Sequence, residues 1–231
     1  MGVDVVYLSA VIGTNADVFP GVLDLHVPPG SVVADVTYGR GVFWRKVQPN
    51  LYDLRATDLT TGVDCRHLPY ADGEIDALVL DPPYMHTPGG SAHVGHQGFE
   101  RYYRNNATGN QTPHKYHDAV IYLYFEAMNE AHRVVRNRGV LIVKAQDQVC
   151  AGHYRSACSE ITHFAVHHGW TQIDALQVVS TRRPGLSRGR QRTSRRNYST
   201  FLVFRKCPPP RLATRLGDDL WPADNIPEDV K

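Results

Sequence analysis

Asp81-Pro82-Pro83-Tyr84 places an acid, two rigid residues and an aromatic ring directly after an apolar run, Ile75 to Leu80, broken only by Asp76. Such a run reads as a buried strand, so the acid and the ring are held at its carboxyl edge. Two successive prolines fix φ and supply no N–H, which makes the Asp81 and Pro82 carbonyls and the Tyr84 ring project in a nearly predetermined geometry. That geometry suits an amino group. The exocyclic NH2 of a nucleobase is a poor nucleophile because its lone pair is delocalised into the ring. Two acceptors pulling on its hydrogens, the Asp81 carboxylate and the Pro82 carbonyl, push the nitrogen toward a tetrahedral and more nucleophilic state, while an aromatic ring stacks on the base. The plainer reading is a turn that closes a strand, with Tyr84 packed beneath it, since Asp and Pro are ordinary turn residues.

The elements around this stretch decide between the two readings. Ser31 to Val36 has strand composition, and Thr37-Tyr38-Gly39-Arg40-Gly41 follows as a glycine turn before Val42-Phe43-Trp44, where a helix is expected to begin. A second strand over Tyr52 to Thr57 ends in Asp58, about twenty residues beyond the glycines. That is the spacing at which an acid reaches the ribose hydroxyls of a nucleotide in a doubly wound sheet, although an exposed loop acid is the simpler alternative. Asp64-Cys65-Arg66-His67-Leu68-Pro69 and the Asp72-Gly73 turn then lead into the Ile75 strand.

Glycine loop, acids and Asp-Pro-Pro-Tyr box thus occur in one order, each at the end of an expected strand. In this order the chain resembles the S-adenosylmethionine-dependent amino-methyltransferases that modify adenine N6 or cytosine N4 in DNA. The resemblance spans roughly residues 15–204. It implies a doubly wound, mostly parallel seven-stranded Rossmann-like methyltransferase sheet with a terminal antiparallel hairpin, an α/β fold. It further implies catalysis by Asp81, Pro82 and Tyr84, and S-adenosylmethionine held by Asp35, Thr37, Gly39, Gly41, Asp58, Asp64, Cys65 and Asp81. Asp64 is assigned there to the adenine amino group. Thr37 departs from the family, which commonly carries phenylalanine at that place. Adenine is preferred over cytosine because the family's cytosine enzymes more often have serine where Asp81 stands. An RNA or glutamine amino-methyltransferase is a related alternative, and a catalytically inactive nucleic-acid-binding protein of the same fold is one from another class.

Beyond Tyr84, residues 85–115 lose periodicity and carry His86, His93, His96 and His114 beside Phe99, Arg101, Tyr102, Tyr103 and Arg104. A loop of this length suits a lid that contacts base and backbone. His93 and His96 lack companion ligands, so no metal is expected. Asp118 to Arg136 has helical periodicity, with Gly139 ending it and Val140 to Lys144 as a buried strand; a further helix over Ser156 to His168 precedes strands at 170–179 and 200–205. Between those last strands, Arg182, Arg183, Arg188, Arg190, Arg192, Arg195 and Arg196 occur without an acid. This run is the expected nucleic-acid contact, with a merely solvated loop as the alternative.

The 231 residues suit a single domain over 1–206, with 85–116 and 181–197 as its long loops and 207–231 as a proline-rich, flexible tail. A net charge of +2 does not by itself indicate nucleic acid. No apolar run approaches the roughly 20 residues of a membrane span. Met1-Gly2-Val3-Asp4 lacks the start of a signal peptide, and the four cysteines form no CxxC pair, so a cytoplasmic location with reduced thiols is expected. A chain without a separate recognition domain can cover its DNA target as a homodimer.

Overall fold

The apolar runs become strands of one sheet in a computed structural model that describes residues 6–84, 116–150, 153–181, 193–194 and 196–207. Residues 85–115, with the expected lid, most of the arginine run and the tail lie outside these. In chain order the elements are β1 (Ala10–Ile12), α1 (Asn15–His26), β2 (Val32–Asp35), β3 (Asp53–Ala56), β4 (Ile75–Leu80), α2 (Tyr116–Val134), β5 (Val135–Ala145), β6 (Gln148–Cys150), β7 (His153–Arg155), α3 (Ala157–His167), β8 (Trp170–Val179) and β9 (Tyr198–Lys206). Seven of the strands form a sheet in the order β1-β8-β9-β5-β4-β2-β3. β4 runs parallel to β2 and β5, β2 to β3 and β1 to β8, whereas β9 is antiparallel to both β5 and β8. This is the doubly wound, Rossmann-like arrangement of methyltransferases, closed by the β8–β9 hairpin.

Alternation along the strands builds two cores. Val33, Ala77, Val79, Val140, Ile142, Phe201 and Val203 face α1, whose Val18, Phe19, Val22 and Leu23 cover them. Their neighbours Ala34, Leu78, Leu80, Leu141, Val143, Leu202 and Phe204 pack against Tyr124, Met128 and Ala131 of α2 and Ile161 and Ala165 of α3. Strands buried on both faces explain why 75–80 and 140–144 read as continuous apolar runs rather than as alternating ones. Each fully buried Leu, Val or Phe contributes about 1.5–3 kcal/mol.

Four differences from the sequence reading have local causes. The seventh strand is β1, whose three residues are too short to carry a periodic signal. The hairpin β6–β7 is likewise too short. The helix expected after the glycine loop is only a 3₁₀ turn, Phe43–Lys46, since Pro49 lies three residues on and disfavours helical geometry at Gln48. Finally, α2 stops at Val134 rather than Arg136: Arg136 turns out to pair with Asp76, Arg138 adopts a left-handed φ of 65°, and the β4–β5 register shifts there. Among the described residues, no helix is long and apolar enough to cross a membrane.

That register shift brings backbone close to Gly139. A Cβ at this position would lie 2.7 Å from the Asp76 carbonyl oxygen and 2.6 Å from Val135 Cγ1. Gly139→Ala is therefore expected to lower stability by ~1–3 kcal/mol in urea unfolding, and a neutral effect would show that the β4–β5 junction yields easily.

Candidate active site

Four parallel strands, β3, β2, β4 and β5, point their carboxyl ends the same way, and the loops leaving β2, β3 and β4 enclose a cleft of about 680 Å³. Its wall is formed by Thr37, Gly39 and Arg40 of the glycine loop, Asp58, Leu59 and Thr60 after β3, Asp81 to Tyr84 after β4, and Asn15 at the start of α1. The position follows the rule that doubly wound sheets bind ligands outside the carboxyl ends of their strands, and the volume suits a small-molecule ligand.

Each part of the wall is fixed by named bonds. Asp58 begins a 3₁₀ turn (Leu59–Thr61), and its Oδ1 accepts from the Thr60 and Thr61 backbone N–H groups at 2.6 and 3.2 Å. Its Oδ2 accepts from the Gly39 N–H at 2.9 Å, tying the glycine loop to the end of β3. Burial works to raise the Asp58 carboxyl, but the Thr60 hydroxyl and these backbone donors outweigh it and hold the group below its ordinary value. Gly39 has φ +54°, with only the Thr37 carbonyl, at 3.8 Å, near the place a Cβ would occupy. The backbone here is open to a ligand. Gly41, at φ +61°, instead lies against the Tyr38 ring, whose hydroxyl would stand 2.5 Å from an added Cβ.

Thr37 links the glycine loop to β4. Its hydroxyl accepts the Asp81 N–H at 2.6 Å, a bond that phenylalanine at this position cannot make. Asp81 is half-buried at the floor of the cleft, and the Tyr84 hydroxyl donates to its Oδ1. Burial raises the Asp81 carboxyl to about 6, against the lowering effects of Tyr84 and the ammonium of Lys144. A stacking role for Tyr84 leaves its hydroxyl without a task, whereas the structure gives that hydroxyl a bond to Asp81. Tyr84→Phe is consequently more than a change of polarity.

The remaining expected cofactor residues stand behind the wall. Asp35 is buried, accepting from Trp44 Nε1 at 2.7 Å and from the Thr37 N–H at 3.2 Å. Cys65 is packed in the core under α2. Asp64 is gripped by Arg66 through Nε at 3.0 Å and Nη2 at 2.6 Å, and Arg66 also reaches Glu126. Burial favours protonated Asp64, but Arg66 prevails and keeps the carboxyl low. Asp64 therefore faces a guanidinium, and neither it nor Cys65 is part of the cleft wall. Of the arginine run, Arg196 is described: its guanidinium lies 4.6 Å over the Tyr154 ring and donates to Ser194 Oγ. Arg182, Arg183, Arg188, Arg190, Arg192 and Arg195 lie outside the described residues, as do His93 and His96. Among the described residues, no group of three or more His, Cys, Asp or Glu is placed to hold a metal.

Asn15, Arg40, Leu59, Thr60 and Pro83 of the wall escaped the sequence reading as site residues, and so did Lys144 behind it. Lys144 stands in the sequence simply as the last residue of the strand Val140 to Lys144.

The sequence matches no family model and no curated protein. Solved structures similar to the chain include TrmN and two methyltransferases. TrmN from Thermus thermophilus is 16% identical over 83% of this chain and 48% of its own, with a TM-score of 0.48. The chain thus spans about half of TrmN's length. The 1,6-didemethyltoxoflavin-N1-methyltransferase of Burkholderia thailandensis, solved with S-adenosylhomocysteine, is 12% identical over 84% of this chain and 79% of its own, at a TM-score of 0.48. The N-methyltransferase NodS of Bradyrhizobium japonicum is 14% identical over 82% and 94%, at 0.46. At such distances the fold rests on the chain's own strand order, and its chemistry on the residues of the cleft.

The buried acid beneath the cleft sets a pH dependence. Burial raises Asp35 from 3.8 to about 7, opposed by the Trp44 and Thr37 hydrogen bonds and reinforced by the charges of Asp81 and Asp58. The folded state thus holds this proton more tightly than the unfolded chain does. The resulting stability is complete below roughly pH 4 and is lost as pH rises through about 7. Asp35→Asn removes the titration, so its melting temperature relative to the natural chain is expected to climb between pH 5 and pH 8. A constant difference across that range would contradict a raised Asp35.

Proposed function

We propose that the chain transfers a methyl group from S-adenosylmethionine to an exocyclic amino nitrogen of DNA, adenine N6 in preference to cytosine N4. The observation that carries this reading is the convergence of Asp81-Pro82-Pro83-Tyr84 with the Gly39 backbone and the Asp58 carboxylate on one cleft. Asp58 and the open face of Gly39 fit a nucleoside-bearing cofactor: Asp58 Oδ2 has one described protein donor and retains acceptor capacity toward ribose hydroxyls. When bound, S-adenosylmethionine supplies an electrophilic sulfonium methyl. Asp81 and the Pro82 carbonyl accept the amino hydrogens and orient the nitrogen lone pair. The constrained Pro82-Pro83 backbone keeps these acceptors in place, so alignment rather than strong general-base chemistry provides most of the acceleration. Tyr84 holds one Asp81 oxygen through its hydroxyl and offers its ring to a base extruded from the duplex. The arginine run over 182–196 supplies phosphate contacts on this reading.

Two substitutions separate the roles. Asp81→Ala is expected to abolish methyl transfer while the S-adenosylmethionine dissociation constant, measured by calorimetry, stays within a few-fold. Asp58→Ala is expected to raise that constant about tenfold or more, the equivalent of ~1.4 kcal/mol, and to lower the saturated rate much less. Equal loss of cofactor affinity in both variants would assign Asp81 to cofactor binding and remove it from the reacting nitrogen.

A further inference from the structure

Strand register brings a second charge to Asp81 from 63 positions away in the chain. Leu80 of β4 lies opposite Val143 of β5. One residue on, Asp81 and Lys144 are therefore neighbours at the carboxyl ends of adjacent parallel strands. They also share a face: Ala77 and Val79 of β4, and Val140 and Ile142 of β5, all belong to the core under α1, and Asp81 and Lys144 continue those two series. Lys144 is completely buried, its Nζ donates to Ser199 Oγ at 2.6 Å, and it lies 4.2 Å above the ring of Phe201, its partner on β9.

A buried ammonium is costly unless an opposite charge accompanies it. We infer that Lys144 is the counter-charge that holds Asp81 as a carboxylate, making it an acceptor rather than a donor at the floor of the cleft. Other groups face the pair from the surrounding elements. Asp35 on β2 feels the Asp81 charge, which opposes the ionisation of Asp35. Tyr84 bonds to Asp81, Tyr124 of α2 donates to the Lys144 carbonyl, and Cys158 of α3 lies near the ammonium. Burial lowers Lys144 to about 8, against the charge of Asp81. With Lys144 neutralised, burial acts on Asp81 opposed only by Tyr84.

The consequence for catalysis rests on the amino-methylation reading: a protonated Asp81 presents an O–H donor to the nitrogen lone pair and is a weaker acceptor for a substrate NH2. The charge coupling itself does not depend on that reading, and the test separates the two. In the full chain labelled with ¹³C at aspartate carboxyls, and with the Asp81 resonance assigned by Asp81→Asn, the Asp81 midpoint is expected to rise by ~1 pH unit or more in Lys144→Met. Coupling is reciprocal. In Asp81→Asn, the Lys144 midpoint, read from ¹³Cε, is expected to fall by a comparable amount, which keeps the inference testable should Lys144→Met not fold. Unmoved midpoints overturn it. The acidic limb of the methyl-transfer rate is expected to move up with the Asp81 midpoint in Lys144→Met. If the midpoints move while the natural chain methylates nothing, the coupling stands and the amino-methylation reading falls. If the natural chain methylates DNA while the midpoints stay put, the reverse holds.

Discussion

Parallel strands that stop together force their terminal side chains into one row, and at the site this row is charged. Asp35 ends β2, Asp81 follows β4 and Lys144 lies near the end of β5, with register pairs Asp35 with Val79 and Leu80 with Val143 fixing their order across the sheet. No local sequence preference would gather two acids and a lysine against a hydrophobic core. The sheet does so because each strand is buried on both faces and cannot slip by one residue without turning its apolar side chains the wrong way. The site is therefore as rigid as the packing of Val79, Ile142 and Phe201 behind it.

Such a row opposes the folding that creates it. Burial raises Asp35 and Asp81 and lowers Lys144, so every one of the three is disfavoured in its charged form. The neighbouring polar groups answer this one at a time: Trp44 and the Thr37 N–H for Asp35, Tyr84 for Asp81, and Ser199 for Lys144. Thr37 serves twice, its N–H on Asp35 and its hydroxyl on the Asp81 backbone, and so couples the glycine loop to the Asp-Pro-Pro-Tyr segment. Strain or unpaired charge kept at a functional site and compensated around it is a common arrangement.

The sequence reveals the centre of this sheet because strands buried on both faces are written as short apolar runs punctuated by acids and glycines, as 32–35 and 75–80 are. It does not reveal β1, whose strand character comes from pairing with β8 rather than from its own residues. Asp35, Asp58 and Asp81 were legible as strand-end acids. That Asp35 lies beneath the cleft rather than in its wall was not, because Trp44 reaches it from nine residues away through a turn whose path Pro49 alters. Asp64 illustrates another limit: Arg66, two residues along, satisfies its carboxylate, and no pattern of acids distinguishes a free one from one already paired. Lys144 was invisible as a site residue, since its partner belongs to a different strand.

The central claim is that the cleft aligns an exocyclic amino group of DNA with a sulfonium methyl. The most direct measurement incubates the protein with duplex DNA, transfer RNA and protein in parallel, using S-adenosylmethionine deuterated at the methyl, and follows digestion with mass spectrometry of the products. The account predicts the labelled methyl on adenine N6 of the DNA, absent with Asp81→Ala. Label confined to RNA or to protein glutamine, with none in DNA, would contradict it.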